Sequence, residues 1–380
     1  MFKAAVGHSE HIDAADAAEE LFSRCDEILG GMKPSAGMLF VSSSCEYGEL
    51  LKLVNARYEG IELIGATTAG EISSSGSFME DSSVLVLFAS DEVEIKAGIG
   101  TSASADTKKA ADSAVNAAKN AMKKEAVLCV ALPDVTFRNG VELVDSLNGA
   151  AGEGVALIGG GASAQGGIKK TFQFYKNEVF TDAIAVLVFS APLKYSFGVA
   201  SGWKAIGNRK IVNKSERNII FEIDNKPASE FYHNYFDCQG GVLGGEFPMM
   251  IFEDGESVPY IGAVIEVDGG AGTIRAAGDV REGTTIQFAE AGRDEIIDGA
   301  RESIETTVKN FNGAPEFLLV LSCAARKNIL GTKTSLEYET MKNAAPQMAG
   351  FYTYGEFGPL GPGKPAKFHN ATMITLLLGV

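Results

Sequence analysis

The residues best equipped for chemistry lie near the C-terminus. Arg326 follows an apolar run from Phe317 to Cys323, Glu337 and Glu339 occupy the next stretch, and Tyr352, Thr353, Tyr354 and Glu356 close the one after it. Arginine offers a planar fork to a carboxylate, glutamate accepts from an ammonium, and tyrosine supplies an amphipathic wall. Those are the parts of a pocket for an amino acid or a small anion. If the two apolar runs are parallel neighbours, Arg326 and the Tyr352 to Glu356 turn meet at one sheet edge, where α/β folds bind ligands. The same groups could instead staple the fold through an Arg326–Glu356 or Arg326–Glu339 ion pair. Cys323 precedes Ala324, Ala325 and Arg326, whose guanidinium could activate a thiol. No general base accompanies it, so Cys323 reads as a structural or ligand-lining thiol.

A second copy of part of this pattern lies near the N-terminus. Gly-x4-Gly-Glu occurs at Gly65, Gly70 and Glu71 and again at Gly350, Gly355 and Glu356, and Thr68 and Thr353 coincide within it. Thr68 and Glu71 are therefore candidates for a mirrored ligand site. Other motifs lead away from chemistry. Gly358 to Pro365 has the Gly-x4-Gly-Lys skeleton of a phosphate loop, but Pro365 stands where Ser or Thr would hold magnesium, and Pro359 and Pro362 remove amide donors. It reads as a turn. The glycine-rich Gly159 to Gly167 is followed by strand-like sequence rather than by a helix that could receive a pyrophosphate. Four dispersed histidines (His8, His11, His233, His369) spell no metal site, and His8 and His11 are expected at a mobile end. Five scattered cysteines (Cys25, Cys45, Cys129, Cys238, Cys323) predict reduced thiols.

Composition narrows the class. With 33 basic against 49 acidic side chains the net charge is −16, which repels phosphate backbones and anionic lipid surfaces, so neither nucleic acid nor a membrane is expected as partner. No apolar run approaches the roughly 18 residues that cross a bilayer. Acidic residues and His8 interrupt the N-terminus where a signal peptide would be continuous. A cytoplasmic location follows as the expectation.

The elements that must position these residues recur in order. An apolar strand, a helical stretch, a second strand through the glycine motif and a final apolar strand appear in Gly37 to Phe88, in Ala126 to Phe189 and in Phe317 to Gly379. Cys45 and Cys323 are each read as ending an opening strand. The second unit keeps Gly159 but carries Gln165 where the others have glutamate. Helices are expected over 14–29, 105–123 and 293–311 from apolar residues at three- and four-residue steps. Between the second and third units, about 215–291, strand-like segments alternate with Gly, Asp and Asn turns. The fold class is α/β (α+β): layered mixed sheets flanked by helices, built from repeated β-α-β-β units with an antiparallel insertion. The domains read as 1–214, holding two similar units, and 215–380, holding the insertion and the third.

The chain resembles the FIST family, in which a FIST N segment precedes a FIST C segment. The residues that carry the resemblance are Ile64 to Ile72, Glu80 to Phe88, Leu157 to Ser163, the turn Ser201-Gly202-Trp203 with its continuation, Ser322 to Arg326, Ala349 to Pro359 and Phe368 to Thr372. The resemblance implies a non-catalytic sensory domain for a small ligand such as an amino acid. It also implies output through a separate histidine kinase, cyclic-dinucleotide enzyme or chemoreceptor, because the FIST body takes up essentially all of the sequence. A subset of the family implies haem and nitric oxide sensing as the alternative, with His233 or His369 as an axial ligand.

Overall fold

A computed structural model describes residues 1–136, 139–166, 170–236, 241–242, 247–253 and 258–380. Cys238 and the last residue of the Gly159 to Gly167 motif fall outside them. The first unit runs β1 (Phe2–Ser9), α1 (Ala14–Leu29), β2 (Ala36–Ser42), α2 (Tyr47–Arg57), β3 (Glu62–Thr68), the hairpin β4 (Glu71–Ser73) and β5 (Gly76–Met79), and β6 (Ser83–Ser90). The second runs β7 (Ile95–Thr101), α3 (Thr107–Asn120), β8 (Ala126–Pro133), α4 (Gly140–Ala151), β9 (Ala156–Gly160), β10 (Gln173–Tyr175), β11 (Glu178–Phe180) and β12 (Ala183–Ser190).

The third begins with β13 (Lys194–Ala200) and is then interrupted. The interruption holds β14 (Lys204–Glu216), β15 (Ile219–Ile223), β16 (Lys226–Pro227), α5 (Ala228–Phe236), β17 (Gly241–Val242), β18 (Met249–Phe252), β19 (Tyr260–Gly262), β20 (Val264–Asp268), β21 (Thr273–Ala276) and β22 (Thr285–Glu290). The unit resumes with α6 (Arg293–Asn310), β23 (Pro315–Cys323), α7 (Ala324–Leu330), α8 (Ser335–Met341), β24 (Gln347–Thr353), β25 (Glu356–Pro359), β26 (Ala366–His369) and β27 (Met373–Gly379).

Each unit contributes four strands in one order: first, last, second, third, giving β1-β6-β2-β3, β7-β12-β8-β9 and β13-β27-β23-β24. In each, the second and third strands are parallel and the other pairings antiparallel. The hairpins are exchanged in a ring. Strand β4 of the first unit pairs with β24 of the third, β25 of the third with β9 of the second, and β10 of the second with β3 of the first.

Strands such as Ser83–Ser90 and Ala183–Ser190 are apolar on both faces because both faces are covered. One face meets a core common to all three sheets, in which Phe88 packs edge-on against Phe189 and Phe317, and Phe40 meets Phe351. The other face is covered by helices, α1 and α2 over the first sheet and α3 and α4 over the second. Helix α1 starts where the Asp13 carboxylate accepts from the amides of Ala15 and Asp16 and ends on left-handed Gly30.

The antiparallel section starts at Lys204, earlier than the sequence pattern suggests. Its first strand is largely exposed, and its pairing with β22 shifts register between Ile206 and Lys210, so no alternation of apolar residues marks it. His8 lies within β1, half-buried, with Nδ1 hydrogen-bonded to Ser73 Oγ at 2.7 Å, and is not at a loose end. Of Gly358 to Pro365, Gly358 and Pro359 end β25 and the rest turns to β26.

Candidate functional site

Register decides which residues of the repeated motif correspond. Leu39 pairs with Gly65, Ala131 with Gly159, and Val320 with Gly350. A Cβ on any of these glycines would lie 2.2, 2.2 or 1.8 Å from the carbonyl oxygen of its partner, so only glycine permits the approach. Three pairs further on, Ser42 faces Thr68 and Cys323 faces Thr353 at the strand ends. Ser42, not Cys45, is thus the counterpart of Cys323; Cys45 lies three residues beyond the end of β2.

The two glutamate turns share a backbone and a hydrogen-bond plan. Gly70 and Gly355 sit at φ 133° and 134°, a region that favours glycine. Glu71 and Glu356 are fully buried, and each accepts from the threonine three residues before it, Thr68 and Thr353. Glu71 also accepts from Ser82 Oγ at 2.6 Å, and Glu356 from the Thr372 amide at 3.2 Å and the Cys323 thiol. Burial pushes Glu71 up to about 7 and Glu356 up to about 8, against the pull of these donors. Burial and the neighbouring Glu356 charge hold the Cys323 thiol well above its ordinary range, which removes it as a neutral-pH nucleophile. Cys45 is pushed up to about 11 by burial.

Strands β23 and β24 are parallel neighbours, so Arg326 and the Tyr352 to Glu356 turn do share a sheet edge. Arg326 is nonetheless fully engaged. Its Nε donates to Glu337 Oε1 at 2.9 Å, one terminal nitrogen to the Ile296 carbonyl at 2.7 Å, and the other to the Ser201 carbonyl. Glu337, also fully buried, accepts from Tyr352 Oη at 2.9 Å. The buried staple therefore uses Glu337 rather than Glu356 or Glu339. Glu339 is exposed and pairs with Lys342 one turn on, so it lies outside the cluster. Tyr352 stacks on Phe78 of the first unit's hairpin with centroids 4.0 Å apart, and Tyr354 Oη donates to the Ala164 carbonyl of the second unit. Lys327, which the sequence reading passed over, donates to the Ala69 carbonyl at 2.6 Å and pairs with Glu80.

Open space lies on the far side of the arginine. A cavity of about 360 Å³ separates β18 and β19 from the third unit; its wall includes Ser201, Gly202, Trp203, Tyr260, His369 and Thr372. The two carbonyls that Arg326 holds, Ser201 and Ile296, belong to this wall and to the helix beside it. Trp203 is 5% exposed and His369 1% exposed, and the Trp203 Nε1 and both His369 ring nitrogens are without hydrogen-bond partners among the described residues. The Gly358 carbonyl is near enough to favour a proton on His369 but makes no hydrogen bond of normal geometry with it. Burial pushes His369 down to about 4, so the ring is neutral. The three nitrogens are closed to solvent, so a ligand in the cavity would meet them only if the wall moved. Apart from naming His369 as a possible haem ligand, sequence reasoning placed none of these residues in a pocket; the available signals were that Trp203 is the chain's single tryptophan and that two wall segments carry the family resemblance.

Two sequence models cover most of the chain. That of the FIST N domain matches residues 35–226 and that of the FIST C domain residues 228–359. The chain belongs to the FIST family. FIST domains are associated with sensory signal transduction and form a sensory family, not an enzyme family. An uncharacterized protein of Methanocaldococcus jannaschii is 26% identical over 216 residues, 54% of this chain and 42% of that protein. One of Aquifex aeolicus is 30% identical over 82 residues, 21% of this chain and 30% of that one. The match thus spans less than half the length of either relative.

Two solved structures, PurLQS from Thermotoga maritima and T. maritima PurL complexed with ATP, cover all of this chain and 72% and 71% of theirs. They do so at 10% and 12% identity with TM-scores of 0.23, too low to carry an argument. No helix of the described FIST chain is long and apolar enough to cross a membrane. The haem alternative gains no support: His369 has its ring nitrogens closed off by packing, and His233 lines a different cleft beside β15 and α5.

Proposed function

We propose that this FIST protein is a non-catalytic sensor whose small-molecule ligand is held in the cleft between the antiparallel sheet and the third unit. The observation that carries the reading is the cavity itself, walled in part by the buried rings of Trp203 and His369. Two segments that carry the family resemblance, Ser201-Gly202-Trp203 and Phe368 to Thr372, meet there although they are far apart in sequence. Amino acids, the class the resemblance suggests, belong among the ligands to be tried.

In this reading Arg326, Tyr352, Thr353, Tyr354, Glu356 and Cys323 act behind the wall rather than on the ligand. Arg326 fixes the Ser201 and Ile296 carbonyls, and its partner Glu337 holds Tyr352 against Phe78 of the first unit. A ligand that moves the wall thereby biases packing in a distant hairpin, which a separate signalling partner could read. Thr68, Glu71 and Lys327 form the other end of that connection. The four described cysteines are free thiols, and the proposal places the protein in the cytoplasm.

A thermal-shift screen of amino acids, amines and small anions tests the reading. A stabilising ligand should lose its effect in Trp203→Phe and keep it in Glu339→Gln on the opposite surface of the cluster. Stabilisation that survives Trp203→Phe would move the site elsewhere.

A further inference from the structure

The wall of the cleft carries a charge pattern that narrows the ligand. Helix α6 presents Glu295, Asp298, Gly299 and Glu302 to the cavity, a spacing of three, four and seven residues that puts them on one face. Gly299 packs so closely on the Gly202 amide that a Cβ there would lie 2.6 Å from it, so at that height the wall is backbone, flanked by the acidic side chains. The lining holds one lysine, Lys204, against these three carboxylates, and Lys204 is bonded to Glu295 at 3.3 Å. Asp298 is paired with Arg301 at the surface. Glu302 has no partner among the described residues. The aromatic residues Trp203 and Tyr260 share the lining, and the Tyr260 hydroxyl donates to Glu253 Oε1 at 2.7 Å.

Carboxylates and aromatic rings lining one cleft are the chemistry that holds an ammonium group, through charge and the ring quadrupole. A ligand carboxylate would find no free cation there.

Resting on the cleft reading above, we infer that the ligand is a small organic cation: a primary or quaternary ammonium on a short chain. Anions and zwitterionic amino acids are bound more weakly, because their carboxylate meets Asp298 and Glu302.

The test measures the melting midpoint of the full chain with choline, ethanolamine, acetate and glycine as probes. Choline or ethanolamine should raise the midpoint by several degrees, acetate and glycine should not, and the shift should fall at least tenfold in apparent affinity in Glu302→Gln. Glu302 is exposed on its helix, so this variant folds. A shift with acetate or glycine that Trp203→Phe abolishes would overturn the cation class and leave the cleft in place. A choline shift indifferent to both substitutions would overturn the class and the cleft together. No shift with either cation would overturn the class, and the broader ligand screen then judges the cleft on its own.

Discussion

The Arg326 cluster and the cleft beside it lie back to back and differ in one respect. Around Arg326 each polar group is answered: the guanidinium by Glu337 and two carbonyls, Glu337 by Tyr352, Glu356 by Thr353, Thr372 and Cys323. In the cleft the Trp203 and His369 ring nitrogens are left over. A satisfied buried network is scaffold, since a ligand would have to break bonds in order to make them. An incomplete one beside open space is where a ligand adds bonds. On the proposed reading, the richest polar constellation in the sequence marks a support for the site rather than the site itself.

That contrast breaks first at Arg326. Arg326→Met should leave Glu337 buried and unpaired and cost ~3–5 kcal/mol of stability in urea unfolding, whereas the double change Arg326→Met with Glu337→Met should cost much less than the two single changes added. Additive losses would mean that the pair is not coupled as the geometry requires.

Next in size is a pH effect. Burial keeps Glu356 protonated in the folded chain up to about 8, while the unfolded residue ionises near 4.5. Between those values the folded state binds the extra proton, so stability falls as pH rises, by up to ~1.4 kcal/mol per pH unit. Glu356→Gln removes this contribution and should gain on the parent chain from pH 5 to pH 8. Glu71 leaves a residual slope of the same sign that ends near 7, and His369 adds one of opposite sign between about 4 and 6.5 that both proteins share. A stability difference that does not change with pH would show that Glu356 is ionised in the fold.

Smaller effects sharpen the other side. Trp203→Phe should cost only ~1–2 kcal/mol of packing while removing the ligand response. Glu339→Ala, which touches only the exposed Lys342, should change stability by less than ~0.5 kcal/mol and leave ligand binding intact.

Much of the fold was legible because strands covered on both faces are continuous apolar runs and their order recurs; α1 occupies the residues its periodicity predicts. The start of the antiparallel section was not, because β14 is exposed and irregular in register and carries no such pattern. The parallel pairing that brings Arg326 to the Tyr352 turn could be inferred, but its partner could not: Glu337 and Glu339 are two residues apart, and only the fold turns one inward and the other out. Ser42 and Cys45 pose the same difficulty, since register and not residue type assigns the counterpart of Cys323. The cleft was invisible for a further reason. Its wall joins Trp203, α6 and His369 from segments that no local spacing connects.

Because Trp203 is the single tryptophan, the chain's own fluorescence reports on the cleft. A titration with whichever compound raises the melting midpoint should change the intensity or wavelength of Trp203 emission, saturating over the same concentrations as the thermal shift. A compound that stabilises the protein while leaving that emission unchanged would contradict the account and place the ligand away from the cleft.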